Sequence, residues 1–240
     1  MQWEKKMLYL QKLTNRIILI AKDIPFLYTL ILKLRGRYDH QLFPSDKTDI
    51  HITGYARSGN TFATNLLKQL LPNLNIATHI HATSSIKLAL RHNVPVIVLI
   101  RDPSECIPSA TIKRQSSFYC TDTAFLFVLE EYNWYYNFVV KNLDKLCVLE
   151  FSQFVNNWGI LIDTVCKATG NKKFSSQEIK KAIETVTKKL KADKRPPAQN
   201  TWASPQKQSM KQEVLKRIVD MPEYTKTQKL FNHIKEHTFK

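Results

Sequence analysis

Four short strand-like runs punctuate the chain, at residues 49–54, 75–80, 95–100 and 146–151. Each has the length of a strand, and Val96-Ile97-Val98-Leu99-Ile100 has no polar position at all, as a strand buried on both faces requires. Between the runs, apolar side chains return every three or four residues, which predicts helices over 60–71, 83–91, 122–142 and 155–169. In the first of these, Phe62, Leu66, Leu67, Leu70 and Leu71 share one face. Strands alternating with helices imply right-handed crossovers and a parallel sheet. Residues 3–36 read as two helices broken near Pro25. Ser175-Ser176-Gln177-Glu178 is a capping box, with Ile179, Ile183, Val186 and Leu190 as the stripe behind it. Residues 192–206 carry three prolines and read as a loop, and helices follow near 208–219 and 225–237. The expected organisation is an α/β domain over 46–240 with a helical C-terminus, preceded by a helical extension over 1–45.

The first strand runs into Gly54-Tyr55-Ala56-Arg57-Ser58-Gly59-Asn60-Thr61, and a helix follows. Strand, glycine-bearing loop and helix in that order form a phosphate cradle, because the loop amides and the helix N-terminus both face the anion. The glycine spacing is that of a Walker A loop, so the fold is of P-loop type, but Asn60 stands where the lysine belongs. Arg57 supplies a cation from within the loop. The third strand ends in Arg101-Asp102-Pro103, with Ser109 eight residues after the arginine. The carboxyl end of a parallel strand is where open α/β sheets bind ligands, so a second phosphate site is expected there.

These two loops resemble those of the sulfotransferases that use 3′-phosphoadenosine 5′-phosphosulfate (PAPS). In that family the first loop usually reads Lys-Ser-Gly-Thr-Thr-Trp and binds the 5′-phosphosulfate; here it is Arg57-Ser58-Gly59-Asn60-Thr61-Phe62. The family's arginine with a serine eight residues on, which holds the 3′-phosphate, corresponds to Arg101 and Ser109. Cytosolic members place a Thr-His pair between the loops as the base. Thr78-His79-Ile80-His81 matches it, with His79 at the family's spacing of 22 residues before Arg101. Cys147 to Phe154 is similar to the family's strand ending in aromatic-Glu-Asp-Leu, although Ser152 and Gln153 replace the acidic pair. The resemblance covers roughly residues 48 to 170.

The resemblance implies a role for each of these residues. Sulfuryl transfer builds charge on the leaving phosphate, so cations and amide donors are needed there, plus a base for the acceptor proton. Arg57 and the amides of Ser58, Gly59, Asn60 and Thr61 take the first role. Arginine clamps oxygens in a fork but is a poor proton donor at its high pKa. His79 is the base and His81 the reserve, lying on the same face if the strand continues. Arg101 and Ser109 hold the 3′-phosphate, and Asp102 caps the following turn. Phe62 and Phe151 lie beside adenine. Lys194, Arg195 and Lys207 are candidates for closing the donor site, while Trp134, Tyr135 and Tyr136 read as helix core. PAPS is the expected donor, with a carbohydrate or small-metabolite hydroxyl (or amine) as acceptor and no metal. Two alternatives stay open: a P-loop kinase using ATP, opposed by Asn60 and by the lack of an acidic magnesium ligand ending a strand, and a non-catalytic basic module on membrane or nucleic acid.

Charge bears on that last alternative. The chain of 240 residues carries a formal charge of +16, distributed unevenly. Residues 46–170 hold 11 basic and 10 acidic groups, whereas 1–45 hold 8 and 3, and 171–240 hold 17 and 7. The body is near neutral and its ends are basic, so no nucleic-acid partner is expected. Four cysteines without metal spacing or a disulfide framework suit a reducing compartment, hence a cytoplasmic setting. The apolar stretch Ile17 to Leu34 is interrupted by Lys22, Asp23 and Pro25, too broken for a spanning helix. The run Ile17 to Ala21 is also too short for a signal-peptide core. Two readings of this region remain: a helical extension packed on the domain, or an interfacial helix pair in peripheral membrane contact.

Overall fold

The computed structural model describes residues 2–36, 42–115, 122–192 and 204–238. Strands β1 (Ile50–Gly54), β2 (Ile76–Thr78), β3 (Val96–Ile100) and β4 (Cys147–Glu150) form one sheet in the order β2-β1-β3-β4, with every pairing parallel. The chain leaves β1 for β2 on one side and returns to place β3 on the other. The order therefore reverses at the carboxyl ends of β1 and β3, the position at which such sheets open a ligand crevice.

Helices cover both faces of the sheet. Ile50, Ile52, Ile97, Leu99 and Leu149 point to one side, where α3 (Asn60–Leu70), α7 (Phe151–Asn156) and α8 (Trp158–Thr169) close a core around Leu67, Phe154 and Leu161. Val96, Val98 and Ile100 point to the other side. There α4 (Thr83–Arg91), α5 (Pro103–Gln115), α6 (Asp122–Val140), α10 (Pro205–Ile218) and α11 (Pro222–Thr238) build the larger core. The two-residue alternation of a strand thus feeds both layers. On the first side, α9 (Ser176–Lys191) lies over α3 and α8 through Ala182, held at its start by the expected capping box of Ser175 and Glu178.

The N-terminal helices α1 (Gln2–Asp23) and α2 (Pro25–Leu34) are packed on this body. Leu19 is buried, and Lys22 and Arg114 both pair with Glu131, whose side chain is 3% exposed. That pairing holds the Glu131 carboxyl down at about 2 against the cost of its burial. Asp23 bonds Lys87 and Thr83 on α4, while Tyr28 and Leu32 pack against Phe43, Ile80 and Ala82.

Some elements differ from expectation. The helix α5 was not expected, because Pro103 and Pro108 argue against one and its buried Cys106, Ile107, Ser109, Ala110, Thr111 and Ile112 leave no polar stripe. Pro103 is tolerated in the first turn, where its missing N–H has no helical partner. The expected helix over 155–169 is two helices that meet at Asn157, whose side chain accepts from the Gly159 amide at 3.1 Å and so caps the second. Strand β2 stops at Thr78, since His79 takes φ 68° and leaves the extended path. The described cysteines Cys106, Cys147 and Cys166 are free thiols.

Candidate active site

At the switch point a cavity of about 410 Å³ opens between the β1–α3 loop, the β2–α4 segment, the end of β3 and helix α9. A volume of this size suits a small-molecule ligand. The loop that floors it is shaped by two left-handed residues, Arg57 at φ 74° and Gly59 at φ 93°. Gly59 also needs its lack of a side chain, because a Cβ there would lie 2.7 Å from the Phe151 ring. Before the loop, β1 passes so close to β3 that a Cβ on Gly54 would meet the Leu99 carbonyl at 2.3 Å.

Gly59 is the N-cap of α3, and the Ala63 amide is the first to bond back, to the Gly59 carbonyl at 3.0 Å. The amides of Asn60, Thr61 and Phe62 therefore have no partner within the helix, and all three residues line the cavity. Ser58 is different. Its amide closes a turn onto the Tyr55 carbonyl, and its buried hydroxyl faces Tyr136 rather than the cavity. Asn60 takes the place of the expected lysine, directing Nδ2 at the Gly54 and Tyr55 carbonyls at 3.4 and 3.3 Å.

The two sequence motifs are stitched together. Arg57 Nε donates to Ser109 Oγ at 2.9 Å, and Arg101 donates from Nη1 to the Arg57 carbonyl at 3.1 Å. Arg101 also bonds Glu105 at 3.0 Å and lies over the Phe151 ring, 4.3 Å from its centroid. Arg57 and Arg101 line the cavity; Ser109 sits behind Arg57, 4% exposed. Asp102 accepts from the Ser104 amide at 2.8 Å and so caps α5, as its sequence position implied. Among the described residues, Arg101 Nε and Asn60 Oδ1 are buried with no hydrogen-bond partner. An orphaned guanidinium N–H is costly unless an anion receives it.

Further cations gather here. Lys113 lines the cavity, and Lys207, buried in the first turn of α10, comes near enough to Arg57, Lys211, Arg101 and Lys113 to feel their charge. Burial and then these neighbours lower Lys207 to about 7. Lys211 pairs with Glu105. Lys194 and Arg195, the other closing candidates from sequence, lie outside the described residues.

Both histidines reach the cavity. His79 is exposed where it lines the cavity. Desolvation lowers its pKa, and the positive charges of Lys68 and Lys113 lower it further. His81 lies deeper and donates from Nδ1 to the Gly54 carbonyl at 2.7 Å, which leaves Nε2 as its acceptor. Desolvation takes His81 to about 4. The continuous strand face expected for the pair does not exist. They converge because His79 turns left-handed and the chain bends around it.

The remaining wall is apolar. Phe62 stacks on Trp158 with centroids 4.5 Å apart, Phe151 faces them across Phe154, and Ile183, Thr187 and Leu190 of α9 close the side. Trp158, Lys113 and Thr187 carried no sequence signal, and Ile183 and Leu190 read only as the apolar stripe of α9. Tyr136 reads as core and is fully buried, yet its hydroxyl donates to the Leu99 carbonyl at 2.9 Å and receives the Tyr55 amide at 3.2 Å, so it locks the loop from beneath. Among the described residues, no group of three or more His, Cys, Asp or Glu side chains could hold a metal ion.

No protein-family model matches the chain, and no curated protein sequence matches it. Among solved structures, the chain is similar to the mouse sulfotransferase SULT7A1 complexed with PAP, at 10% identity and a TM-score of 0.49. The match covers 80% of this chain and 91% of that one.

Proposed function

We propose that the chain is a sulfotransferase that moves a sulfuryl group from PAPS to a hydroxyl, or an amine, of a carbohydrate or small-metabolite acceptor. One observation carries this reading. Arg57, Asn60, Thr61, Phe62, Arg101 and His79 all line one cavity, with an asparagine in the place of the Walker lysine. The fit to the donor rests on the orphaned Arg101 Nε, on the unpaired amides of the first turn of α3 and on the Gly59 cradle.

In this reading the amides of Asn60, Thr61 and Phe62, with Arg57, hold the 5′ end of the donor. Arg101 and Lys207 hold the 3′-phosphate. Ser109, buried behind Arg57, acts by orienting it, in place of the direct 3′-phosphate contact expected from the sequence. The aromatic wall of Phe62, Trp158 and Phe151 receives adenine. The bound donor supplies the sulfuryl group and leaves as adenosine 3′,5′-bisphosphate, its new charge compensated by Arg57 and the amides. His79 accepts the acceptor proton on its imidazole. It is neutral at pH 7 because its surroundings disfavour the cation. His81, at about 4, is the weaker base and orients the acceptor.

The test is transfer of label from [35S]PAPS to pooled hydroxyl-bearing glycans and metabolites in EDTA, beside γ-labelled ATP with magnesium. Labelled product from PAPS is expected. His79→Ala should lower turnover about a hundred- to ten-thousandfold with donor binding unchanged. Product from ATP alone, dependent on magnesium, would replace this reading with a kinase.

A further inference from the structure

The docked N-terminal helices are apolar on the side turned away from the body as well. On α1, Leu10, Leu13, Ile17 and Ile20 recur at alternating three- and four-residue steps, and Ile24 continues the series into the start of α2. All five are exposed, Ile17 by 59%. On α2, Phe26 and Leu34 are 78% and 79% exposed, with Leu30 between them. Of the twelve large apolar side chains that are exposed among the described residues, eight belong to these two helices and a ninth, Ile24, joins them. They form a patch rather than the usual scatter.

Rotation of the helices would not bury this patch, because their inner faces are already committed. Leu19, the Lys22–Glu131 pair and Asp23 fix α1, and Tyr28 and Leu32 fix α2. Charge says what lies against the outer face. Residues 1–45 carry eight basic and three acidic groups, and one of the acids, Asp23, is paired with Lys87. Arg16, Lys33 and Arg35 are exposed on the same two helices. A second copy of the chain would set like charge against like. An anionic lipid surface complements the cations and takes up the apolar side chains. Among the described residues, no helix is long and apolar enough to cross a membrane, so the pair would lie in the plane of the interface.

We propose that α1 and α2 seat the protein on an anionic lipid surface through Leu13, Ile17, Ile20, Phe26 and Leu34, with the body held on the water side. The seat does not depend on the sulfuryl-transfer reading. It is tested by flotation of the full chain with phosphatidylcholine vesicles, with and without phosphatidylserine. The protein should float with the anionic vesicles, much less with the neutral ones, and less again in high salt. Replacing Phe26→Glu and Leu34→Glu together should weaken the partition by at least about tenfold, since two apolar side chains would no longer leave water. Both positions are nearly fully exposed, so the melting curve should not change. Flotation of that double variant equal to wild type, or no flotation of wild type, would overturn the seat. So would a dimer in sedimentation that the same two substitutions dissociate while vesicles remain unbound, for then the face joins two copies.

Discussion

Gly59→Ala perturbs the loop in two ways whose costs can be separated. The residue sits at φ 93°, ψ 1°, where a side chain costs about 1–2 kcal/mol. Its new methyl would lie 2.7 and 2.8 Å from two carbons of the Phe151 ring and 3.4 Å from Phe154. Carbon atoms rest comfortably at about 3.5 Å or more, so the ring must retreat by roughly 0.8 Å. Arg101 covers that ring and Phe154 meets it edge-on, so the retreat disturbs a packed cluster, at about 1–3 kcal/mol. The expected total is about 2–5 kcal/mol of stability, read by urea unfolding. Gly170→Ala supplies the control: its φ of 70° is also left-handed, but nothing lies within 4 Å, so only the backbone cost of about 1–2 kcal/mol applies. Because Phe151 carries Arg101, Gly59→Ala should also weaken binding of adenosine 3′,5′-bisphosphate by tenfold or more, where a loss of about 1.4 kcal/mol suffices. A Gly59→Ala protein no less stable than Gly170→Ala, binding the nucleotide as wild type does, would refute this packing.

Two further predictions concern the frame around the site. His51 is fully buried between the Ala77 carbonyl and Ser85, and burial lowers it to about 4, as it does His81. An unfolded histidine titrates near 6.5, so the unfolded chain binds more protons between those values. Stability should be full above about pH 6.5 and fall by about 3 kcal/mol for the buried His51 as pH drops to about 4. His51→Gln should flatten that slope in urea titrations, and an unchanged slope would refute the assignment. Glu131→Gln leaves Lys22 and Arg114 facing an uncharged group; it should cost about 3 kcal/mol and expose α1 to proteolysis, and a protected α1 would show that the ion pairs do not hold it.

The strands were legible because each has strand length and an apolar pattern, from the alternation of Ile50-His51-Ile52-Thr53 to the unbroken run of Val96 to Ile100, and the phosphate loop because its glycines are local. The α5 helix was hidden by Pro103 and Pro108 and by burial on all sides. The end of β2 was hidden by the left-handed turn at His79, which no spacing announces. Arg57 and Arg101 could be named in advance because they follow the carboxyl ends of strands, and the two histidines because of the Thr78-His79 pair and its spacing from Arg101. The partnership of Arg57 with Ser109, the orphaned Arg101 Nε, and the arrival of Lys207, Lys113 and Trp158 come from packing between distant segments. Tyr136 read as ordinary core because its hydroxyl does its work in the interior, on the Leu99 carbonyl and the Tyr55 amide.

In the proposed reading two separate phosphate sites, one at the α3 N-terminus and one at Arg101, share a single nucleotide. Calorimetric titration of the full chain with adenosine 3′,5′-bisphosphate, AMP and ATP in parallel tests it most directly. Charge-assisted hydrogen bonds to a phosphate are worth about 1.5–3 kcal/mol, so the bisphosphate should bind about ten- to a hundredfold more tightly than AMP, and Arg101→Ala should narrow the difference. Equal affinity for the bisphosphate and AMP would remove Arg101 from the 3′-phosphate site, and preference for ATP would remove PAPS as donor.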